Sequence, residues 1–406
     1  MNEHIPQAEE PEGDVTKTHS QQGYTGITPP LGKLPQRGER IWVDRPEQLL
    51  AAVRTLKTAP VIAIDAEFTQ ARSRTQGQSS APRLAILQLG IDQTCFVVDT
   101  LRLNDLSSLA AVVENPRYTI LLHGAGADLR VMADRGLEVA HYYDLEATSR
   151  SIFGQHESSL AGMLNRAFGY RLDKSLQRTD WTRRPLPPAM VAYAARDAEV
   201  TLALYHWLDQ HYHNILKLHE HYEQLEGVAT WIEPFLDGTA PLSAEMAVVE
   251  AKKQGLISDK GQVAADCRAA LLALTHPLHR NRLLRLIADL SLMQLTPDIV
   301  PLLHSSASDE RASALRALGR LGVKSVQETI RPLLQDPVDD VRKAAQAALR
   351  NLGDKEIALK HATATTSIDG TRTWTVGHGE QGEHSNTAAS DEDPWKARLR
   401  SMMDKE

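Results

Sequence analysis

The sequence predicts an α/β domain, built as a mixed sheet flanked by helices, followed by an all-α domain of helical repeats. Three apolar segments predict adjacent strands, and alternating strand and helix patterns follow them, which is typical of a mixed sheet covered by helices. After residue 158 strand patterns fade and helical periodicity dominates. Near the C-terminus the pattern repeats with a period of 31 residues, as stacked helical hairpins do.

Length and composition limit the class of protein. At 406 residues the chain is long enough for two or more domains. Its two cysteines, Cys95 and Cys267, are far apart and predict no disulfide framework, which favours a reduced, intracellular setting. No apolar run is long enough to cross a membrane, and the N-terminus lacks a basic and then apolar signal. We expect a cytoplasmic protein with no membrane contact. The net charge of −7 gives no global sign of nucleic-acid binding.

The first elements of the chain can be assigned in order. Residues 1–38 are polar without an apolar period and predict a disordered N-terminal arm. A helical pattern over 46–56 leads into an apolar strand over 61–68. The polar segment 69–82 predicts a mobile loop. Two further strands, separated by four residues, predict a hairpin next to the first strand: 84–90 and 95–99.

Strands and helices then alternate. The patterns predict a helix over 106–114, a strand over 118–122 and a helix over 127–135. Beyond these the chain becomes almost entirely helical, and its longest pattern is a helix over 188–208. These elements complete the predicted mixed sheet and its covering helices.

The 31-residue period is clearest at the end of each unit. The segment RASALRALGRLG, which begins at Arg311, matches RKAAQAALRNLG, which begins at Arg342. Pro301-Leu-Leu matches Pro332-Leu-Leu in the same register, and a fainter copy lies one period upstream. One helical hairpin cannot bury its apolar face alone, so the repeats predict three stacked hairpins. The units resemble short HEAT-like repeats.

Four acidic residues and a tyrosine stand out from these elements. Asp65 and Glu67 interrupt the apolar strand and share one face of it, roughly 6 to 7 Å apart at Cα. Asp128 follows a strand near the start of a helix, and Tyr193 and Asp197 lie four residues apart on one helical face. Taken alone, Asp128 could equally be a carboxylate favoured by the helix dipole, and Asp197 a solvated helix residue.

The crowded carboxylates point to metal binding. Like charges held on one strand face repel and raise one another's proton affinity unless a cation neutralises them. Oxygen ligands suit a hard cation such as Mg²⁺ or Mn²⁺. Two such ions about 3.5 to 4 Å apart can activate a water and stabilise the leaving oxygen of a phosphodiester. The acids therefore predict a site for divalent cations.

Three segments carry a resemblance to a known family. They are Asp65-Ala-Glu67, His123-Gly-Ala-Gly-Ala-Asp128-Leu, and LDKSLQRTDWTRRPL from Leu172, which runs into Tyr193-Ala-Ala-Arg-Asp197. In order and spacing these segments resemble the ribonuclease D group of DEDD exonucleases, in the branch that has a tyrosine four residues before the last aspartate. The resemblance spans residues 43–208.

The resemblance implies a ribonuclease H-like fold that removes nucleotides one at a time from a 3′ end with two divalent cations, Mg²⁺ or Mn²⁺. Asp65 would bridge both ions, and Glu67 and Asp197 would complete the first site. Asp128 would support the second ion, partly through water. Tyr193 would hold or deprotonate the attacking water.

Basic and aromatic residues near these segments are candidates for substrate binding. Backbone binding is electrostatic, so a local basic stretch could track phosphates. A solvated charge run is the alternative for the cations, and a core position is the alternative for the tryptophan. The candidates are Arg72, Arg74, Lys174, Arg178, Trp181, Arg183 and Arg184.

The leading hypothesis is a metal-dependent 3′-5′ exoribonuclease that acts on structured RNA ends, such as precursors of tRNA or small RNA. The alternative is a 3′-5′ DNA exonuclease, because the same metal core works on either sugar and the contacts that discriminate the 2′-hydroxyl are not readable from sequence. A second alternative is an interaction scaffold whose HEAT-like repeats bind nucleic acid or a protein partner. RNA is favoured over DNA.

The predicted domains follow from these patterns. They are a disordered arm over 1–38, an exonuclease domain over 39–210, a helical linker region over 211–262, HEAT-like repeats over 263–356 and a mostly disordered tail over 357–406.

Overall fold

The computed structural model describes residues 29–35, 38–71, 80–177, 179–221, 227–354, 363–366 and 372–375. The chain divides into two units, Met1–Asp354 and Lys355–Glu406. The first unit contains the sheet, its covering helices and the helical repeats. Among the described residues no helix is long and apolar enough to cross a membrane.

Seven strands of the first unit form one sheet. They are β1 (Glu39–Val43), β2 (Val61–Ala71), β3 (Ser80–Ile91), β4 (Thr94–Asp99), β5 (Thr119–Leu122), β6 (Tyr142–Asp144) and β7 (Glu220–His221). Their order in the sheet is β1-β4-β3-β2-β5-β6-β7. β3 runs antiparallel to β2 and β4, whereas β5 runs parallel to β2 and β6. The sheet thus contains both parallel and antiparallel pairs of strands, which confirms the predicted mixed sheet.

Six helices accompany this sheet. They are α1 (Pro46–Leu56), α2 (Ala110–Val113), α3 (Gly126–Ala133), α4 (Leu145–Phe153), α5 (Leu160–Phe168) and α6 (Pro188–Leu218). Strand alternation separates the two faces of the sheet: Ile62 and Ile64 of β2 pack in the core with α1 and α3. On the opposite face Ile86 of β3 packs with Ala194 and Ala198 of α6. The long helix α6 therefore covers the face on which Asp65 and Glu67 lie.

A glycine brings α6 close to the sheet. A Cβ atom added at Gly90 of β3 would lie 3.3 Å from the Cβ of Ala198, which is a tight contact. A larger residue at position 90 would push α6 away from β3. The absence of a side chain at Gly90 thus lets Asp197, the neighbour of Ala198, lie close to β2, the strand that carries Asp65 and Glu67.

Several segments differ from their sequence predictions. Of the loop predicted over 69–82, the described residues 69–71 and 80–82 are strand, because Thr69 pairs with Arg83 and Ala71 pairs with Ser80. Residues 72–79 lie outside the described part of the chain. The region predicted as a helical linker also contributes β7, which pairs with β6. In the predicted N-terminal arm, Gly32 donates its N–H to the carbonyl of Ala167 at 2.8 Å, so this part of the arm packs on α5.

The rest of the first unit is helical. It contains α7 (Glu233–Asp237), α8 (Ala244–Lys253), α9 (Lys260–Ala273), α10 (Pro277–Asp289), α11 (Thr296–Ile299), α12 (Ser308–Leu321), α13 (Gln327–Ile330) and α14 (Asp339–Asn351). The helices α10, α12 and α14 begin at intervals of 31 residues, the predicted period. Gly319 of α12 lies so close to Ala348 of α14 that an added Cβ would be 2.7 Å from its Cα, so these helices pack tightly.

The repeats rest on the α/β part of the same unit. The backbone N–H of Gln155, just after α4, donates to Oδ2 of Asp340 on α14 at 2.7 Å. The hydroxyl of Ser308 on α12 donates to the carbonyl of Arg150 on α4 at 3.3 Å. The repeats are thus attached to α4, the helix that follows β6.

In the second unit the described residues form an antiparallel pair of strands. β8 (Thr363–Thr366) pairs with β9 (Arg372–Thr375). The sequence predicts a mostly disordered tail over 357–406 and did not predict these strands. The other residues of that range lie outside the described part of the chain, as do residues 1–28 of the predicted arm.

Candidate active site

Three carboxylates from two elements meet on the α6 side of the sheet. Asp65 and Glu67 project from β2, and Asp197 projects from α6. One carboxylate oxygen from each lies within 4.8 Å of the others. The strand alternation and the close approach of α6 at Gly90 produce this cluster. A hard divalent cation with oxygen ligands fits such a group.

Asp128 completes the acids from a third element. It lies in the first turn of α3 and is 8% exposed. Asp128 does not belong to the group of three close carboxylate oxygens. Its negative charge nevertheless raises the pKa of Glu67, and the negative charge of Asp65 raises the pKa of Asp128. The structure therefore brings all four predicted acids into one electrostatic neighbourhood, with Asp128 at its edge.

Asp144, which the sequence analysis missed, fixes the start of α3. Its carboxylate accepts hydrogen bonds from the N–H groups of Gly124 at 2.9 Å and Ala125 at 3.2 Å. It also caps α4 by accepting from the N–H groups of Glu146 and Ala147. One side chain thus ties the loop before α3 to the start of α4. An aspartate directly before a helical pattern is the sequence signal that could have identified it.

The four acids hold protons more tightly than isolated carboxyl groups do. Burial, followed by the charge of Asp65, raises the pKa of Glu67 to about 9. Burial and the same charge raise the pKa of Asp197 to about 8. Burial and the charges of Asp65 and Asp144 raise the pKa of Asp128 to about 8.

Asp65 itself shows a smaller effect. Burial raises its pKa to about 6, and a hydrogen bond from the backbone of Ala66 opposes the rise. Oδ1 of Asp197 is buried and has no hydrogen-bond partner among the described residues. These carboxylates are crowded, their pKa values are raised, and one of their oxygens has no hydrogen-bond partner among the described residues. A bound cation would stabilise such a group by neutralising its charge.

Tyr193 lies one helical turn before Asp197 on α6. Its hydroxyl is hydrogen-bonded to the Asp197 carboxylate, and this bond lowers the pKa of Asp197. Burial and the negative charge of Asp197 raise the pKa of Tyr193 well above its usual range. The phenol therefore keeps its proton near neutral pH and acts as a hydrogen-bond donor.

Trp181 supports the tyrosine and is not available to stack on a base. Its side chain is only 2% exposed and packs against Ala194 and Ala198. Its ring lies 6.0 Å from the ring of Tyr193, tilted by 37°. The prediction of substrate binding is wrong for Trp181, because a side chain enclosed by α6 and the sheet cannot reach a nucleotide.

Arg184 is also part of the fold and not of a phosphate-binding rim. Its guanidinium forms two hydrogen bonds with the fully buried carboxylate of Asp99, at 2.6 and 2.7 Å. It donates further to the carbonyls of Trp181 and Ala85. The substrate-binding prediction is therefore wrong for Arg184: this ion pair fastens the segment before α6 to β4.

Two other predicted substrate-binding cations are exposed. Lys174 lies near enough to the site for its charge to lower the pKa of Asp197. Arg183 is exposed on the same segment. The remaining candidates, Arg72, Arg74 and Arg178, lie outside the residues that the structure describes.

Comparisons with known proteins match the part of the chain that contains this site. Residues 40–212 match the 3′-5′ exonuclease domain family, and residues 268–376 match the HEAT repeat family. The chain is 31% identical over 179 residues to the exosome complex component 10 homolog of Drosophila melanogaster, a match that covers 44% of this chain and 19% of that protein. It is 28% identical over 165 residues to ribonuclease D of Shewanella sp., covering 40% of this chain and 41% of that protein.

A solved structure of Escherichia coli RNase D, described as an exoribonuclease involved in structured RNA processing, aligns with 75% of this chain and 75% of that chain. The TM-score is 0.40 and the sequence identity is 21%. The chain spans only about one fifth to two fifths of the length of the two curated relatives above.

The chain therefore contains a region, residues 40–212, that is similar to 3′-5′ exonuclease domains, and a C-terminal region, residues 268–376, that is similar to HEAT repeats. The relatives that match the first region include ribonuclease D and an exosome complex exonuclease.

Proposed function

We propose that this chain is a metal-dependent 3′-5′ exoribonuclease that hydrolyses phosphodiester bonds from RNA 3′ ends. The observation that carries the proposal is the cluster of Asp65, Glu67 and Asp197, whose oxygens lie within 4.8 Å of one another inside the matched exonuclease domain. Such a cluster serves cation binding, and two-cation sites of this kind suit phosphodiester hydrolysis.

In this proposal each acid has a separate role. Asp65, Glu67 and Asp197 would hold one divalent cation, Mg²⁺ or Mn²⁺, and Asp65 and Asp128 would hold a second. When bound, such ions would supply an activated water and neutralise charge at the scissile phosphate. The raised pKa values mean that the acids release protons when cations bind, so cation affinity increases with pH.

Tyr193 places the attacking water in this proposal. Because its hydroxyl contacts Asp197, the phenol lies where it can hold the attacking water by a hydrogen bond or deprotonate it. Trp181 packs against the ring of Tyr193, with the two ring centroids 6.0 Å apart, and so restricts the movement of the tyrosine. This role belongs to the tyrosine branch of the DEDD exonucleases, to which we assign the chain.

Finer parts of the proposal concern substrate and partner. RNA is favoured over DNA because the relatives are named ribonuclease D and exosome component. Processing of tRNA or small-RNA precursors in the cytoplasm is the proposed setting. Exposed Lys174 and Arg183, together with Arg72, Arg74 and Arg178, are the proposed phosphate contacts. HEAT repeats stack into extended surfaces, so the repeats over 263–356 are proposed to bind a protein partner.

A labelled-strand assay tests the activity. Single-stranded RNA labelled at its 5′ end, incubated with the chain and Mg²⁺ or Mn²⁺, should shorten to a ladder that retains the label. EDTA and the Asp65→Ala variant should both abolish the ladder. Asp134→Ala removes an exposed carboxylate at the far end of α3 and should leave cleavage unchanged.

The outcomes separate the possible functions. Cleavage that survives EDTA or Asp65→Ala would contradict the metal mechanism. Equal or faster cleavage of a DNA strand of the same sequence would favour a DNA exonuclease. If neither strand were cleaved, the repeats would be left as an interaction scaffold.

A further inference from the structure

A buried glutamine on β3 lies beside the carboxylates with its amide unpaired. Gln88 is 0% exposed, and neither Oε1 nor Nε2 has a hydrogen-bond partner among the residues that the structure describes. An unsatisfied buried polar group costs about 1 to 3 kcal/mol. A native protein that keeps such an amide needs a reason for it.

The strand register places this amide next to Asp65. Gln88 is the direct cross-strand partner of Asp65 in the antiparallel ladder of β2 and β3. Directly opposed residues project from the same face, with Cβ atoms about 4.5 to 5.5 Å apart. No register shift interrupts the ladder at this pair, since the first irregularity follows Glu67.

Neighbouring residues confirm which face Gln88 occupies. Leu87 and Leu89, on either side of it, belong to the core on the opposite face of the sheet. Ile86, two residues away, packs with α6. The amide of Gln88 is therefore enclosed between the sheet and α6, on the face that carries the acids.

The chemistry of the pair suggests its purpose. A primary amide offers two N–H donors, and an ionised carboxylate is an acceptor only. A ligand carboxylate that is shared between two cations must be held at a fixed angle, and hydrogen bonds from neighbouring residues commonly provide this. No other residue opposes Asp65 directly in this ladder.

We propose that Gln88 is the positioning residue for Asp65: its Nε2–H donates to the Asp65 carboxylate when the site holds its cations, and it thereby orients this ligand. The inference rests on the metal site of the proposed function. Gln88 acts through Asp65 and contacts neither the substrate nor the reacting atoms.

Binding of Mn²⁺ alone to the full chain, measured by calorimetry, tests this role. Gln88→Met keeps the length and approximate volume of the side chain but removes the amide. Its Mn²⁺ affinity should fall about tenfold or more. The melting temperature of the EDTA-treated variant should stay the same or rise, because two unpaired polar atoms have been removed from the interior. A residue with only a structural role would show the opposite change in melting temperature.

Ile86→Met provides the matched control, since it places the same side chain on the same strand and face without removing an amide. Its Mn²⁺ affinity should equal that of the wild type. If Gln88→Met does not fold, Gln88→Asn is measured instead: it retains the amide but withdraws it by one methylene, and it should also weaken Mn²⁺ binding.

The results distinguish this inference from the proposed function. Wild-type Mn²⁺ affinity in Gln88→Met would overturn the positioning role while leaving the metal site intact. Marked loss of stability in the EDTA-treated variant would also overturn it, because the amide would then have a structural partner. If the wild type bound no Mn²⁺, or if Asp65→Ala bound it equally well, the metal site and the positioning role would both be refuted.

Discussion

Asp144→Ala is the perturbation whose effect can be worked out most directly from the structure. The Asp144 carboxylate accepts four backbone hydrogen bonds, two at the start of α4 and two in the loop before α3. Loss of the α4 cap costs about 1 kcal/mol. Ala125 is only 3% exposed, so its N–H would be left unsatisfied in the interior at a cost of about 1 to 3 kcal/mol.

The expected loss of unfolding free energy is therefore about 2 to 4 kcal/mol in urea titrations. Ser159→Ala is the matched control, because Ser159 caps α5 by accepting from Gly162 at 3.2 Å and makes no second set of bonds among the residues that the structure describes. It should cost about 1 kcal/mol. Asp144→Asn should fall between them, since its Oδ1 still accepts from Gly124, Glu146 and Ala147 while its amide group faces the N–H of Ala125.

A second readout connects Asp144 with the site. Because Asp144 fixes the residues that begin α3, its loss should shift Asp128 and lower the Mn²⁺-dependent cleavage rate about tenfold at temperatures where the variant stays folded. Ser159→Ala should leave that rate unchanged. If Asp144→Ala were no less stable than Ser159→Ala, or cleaved RNA at the wild-type rate, the assigned link between β6, α3 and the site would be refuted.

Three further predictions concern the site and its support. Arg184→Met removes both short guanidinium bonds to the buried carboxylate of Asp99, which keeps only a 4.0 Å contact with Arg102 and two backbone N–H bonds. It should cost about 3 to 5 kcal/mol in urea unfolding, whereas a cost below about 1 kcal/mol would mean that the ion pair does not hold this segment to β4. Tyr193→Phe keeps the packing on Trp181 but loses the hydroxyl that contacts Asp197. The cleavage rate should therefore fall at least about tenfold, while the Mn²⁺ affinity should change little. A wild-type cleavage rate would contradict the role of Tyr193 in placing water. The raised pKa values of the site acids mean that the folded, metal-free chain binds protons more tightly than the unfolded chain. Their contribution to stability is therefore complete below about pH 4, where the carboxyl groups of the unfolded chain ionise, and it is lost progressively as the pH rises to about 9. The melting temperature in EDTA should fall over this range and Mg²⁺ should reverse the fall at neutral pH, whereas a flat profile would contradict the charge crowding.

The sequence could predict which of the acids share a face, because this placement follows from local periodicity. Alternation on a strand puts Asp65 and Glu67 on one face, and a spacing of four puts Tyr193 above Asp197. These local rules need no knowledge of the tertiary structure. The 31-residue repeat was predictable for the same reason, since α10, α12 and α14 each begin one period apart.

The roles of Trp181 and Arg184 were not predictable, because they depend on what the surrounding chain covers. Both belong to a polar, basic segment that is typical of a solvated surface. Asp99 is distant in sequence, and nothing in that segment indicates that a buried carboxylate would lie beneath Arg184. Strand β7 gave no pattern either, because two residues are too few to show alternation.

Anomalous scattering from Mn²⁺ in crystals of the full chain tests the central claim most directly. We expect one ion bounded by the oxygens of Asp65, Glu67 and Asp197, and a second about 3.5 to 4 Å away between Asp65 and Asp128. Cleavage of RNA under the same conditions, with no anomalous peak among these four carboxylates, would contradict the account.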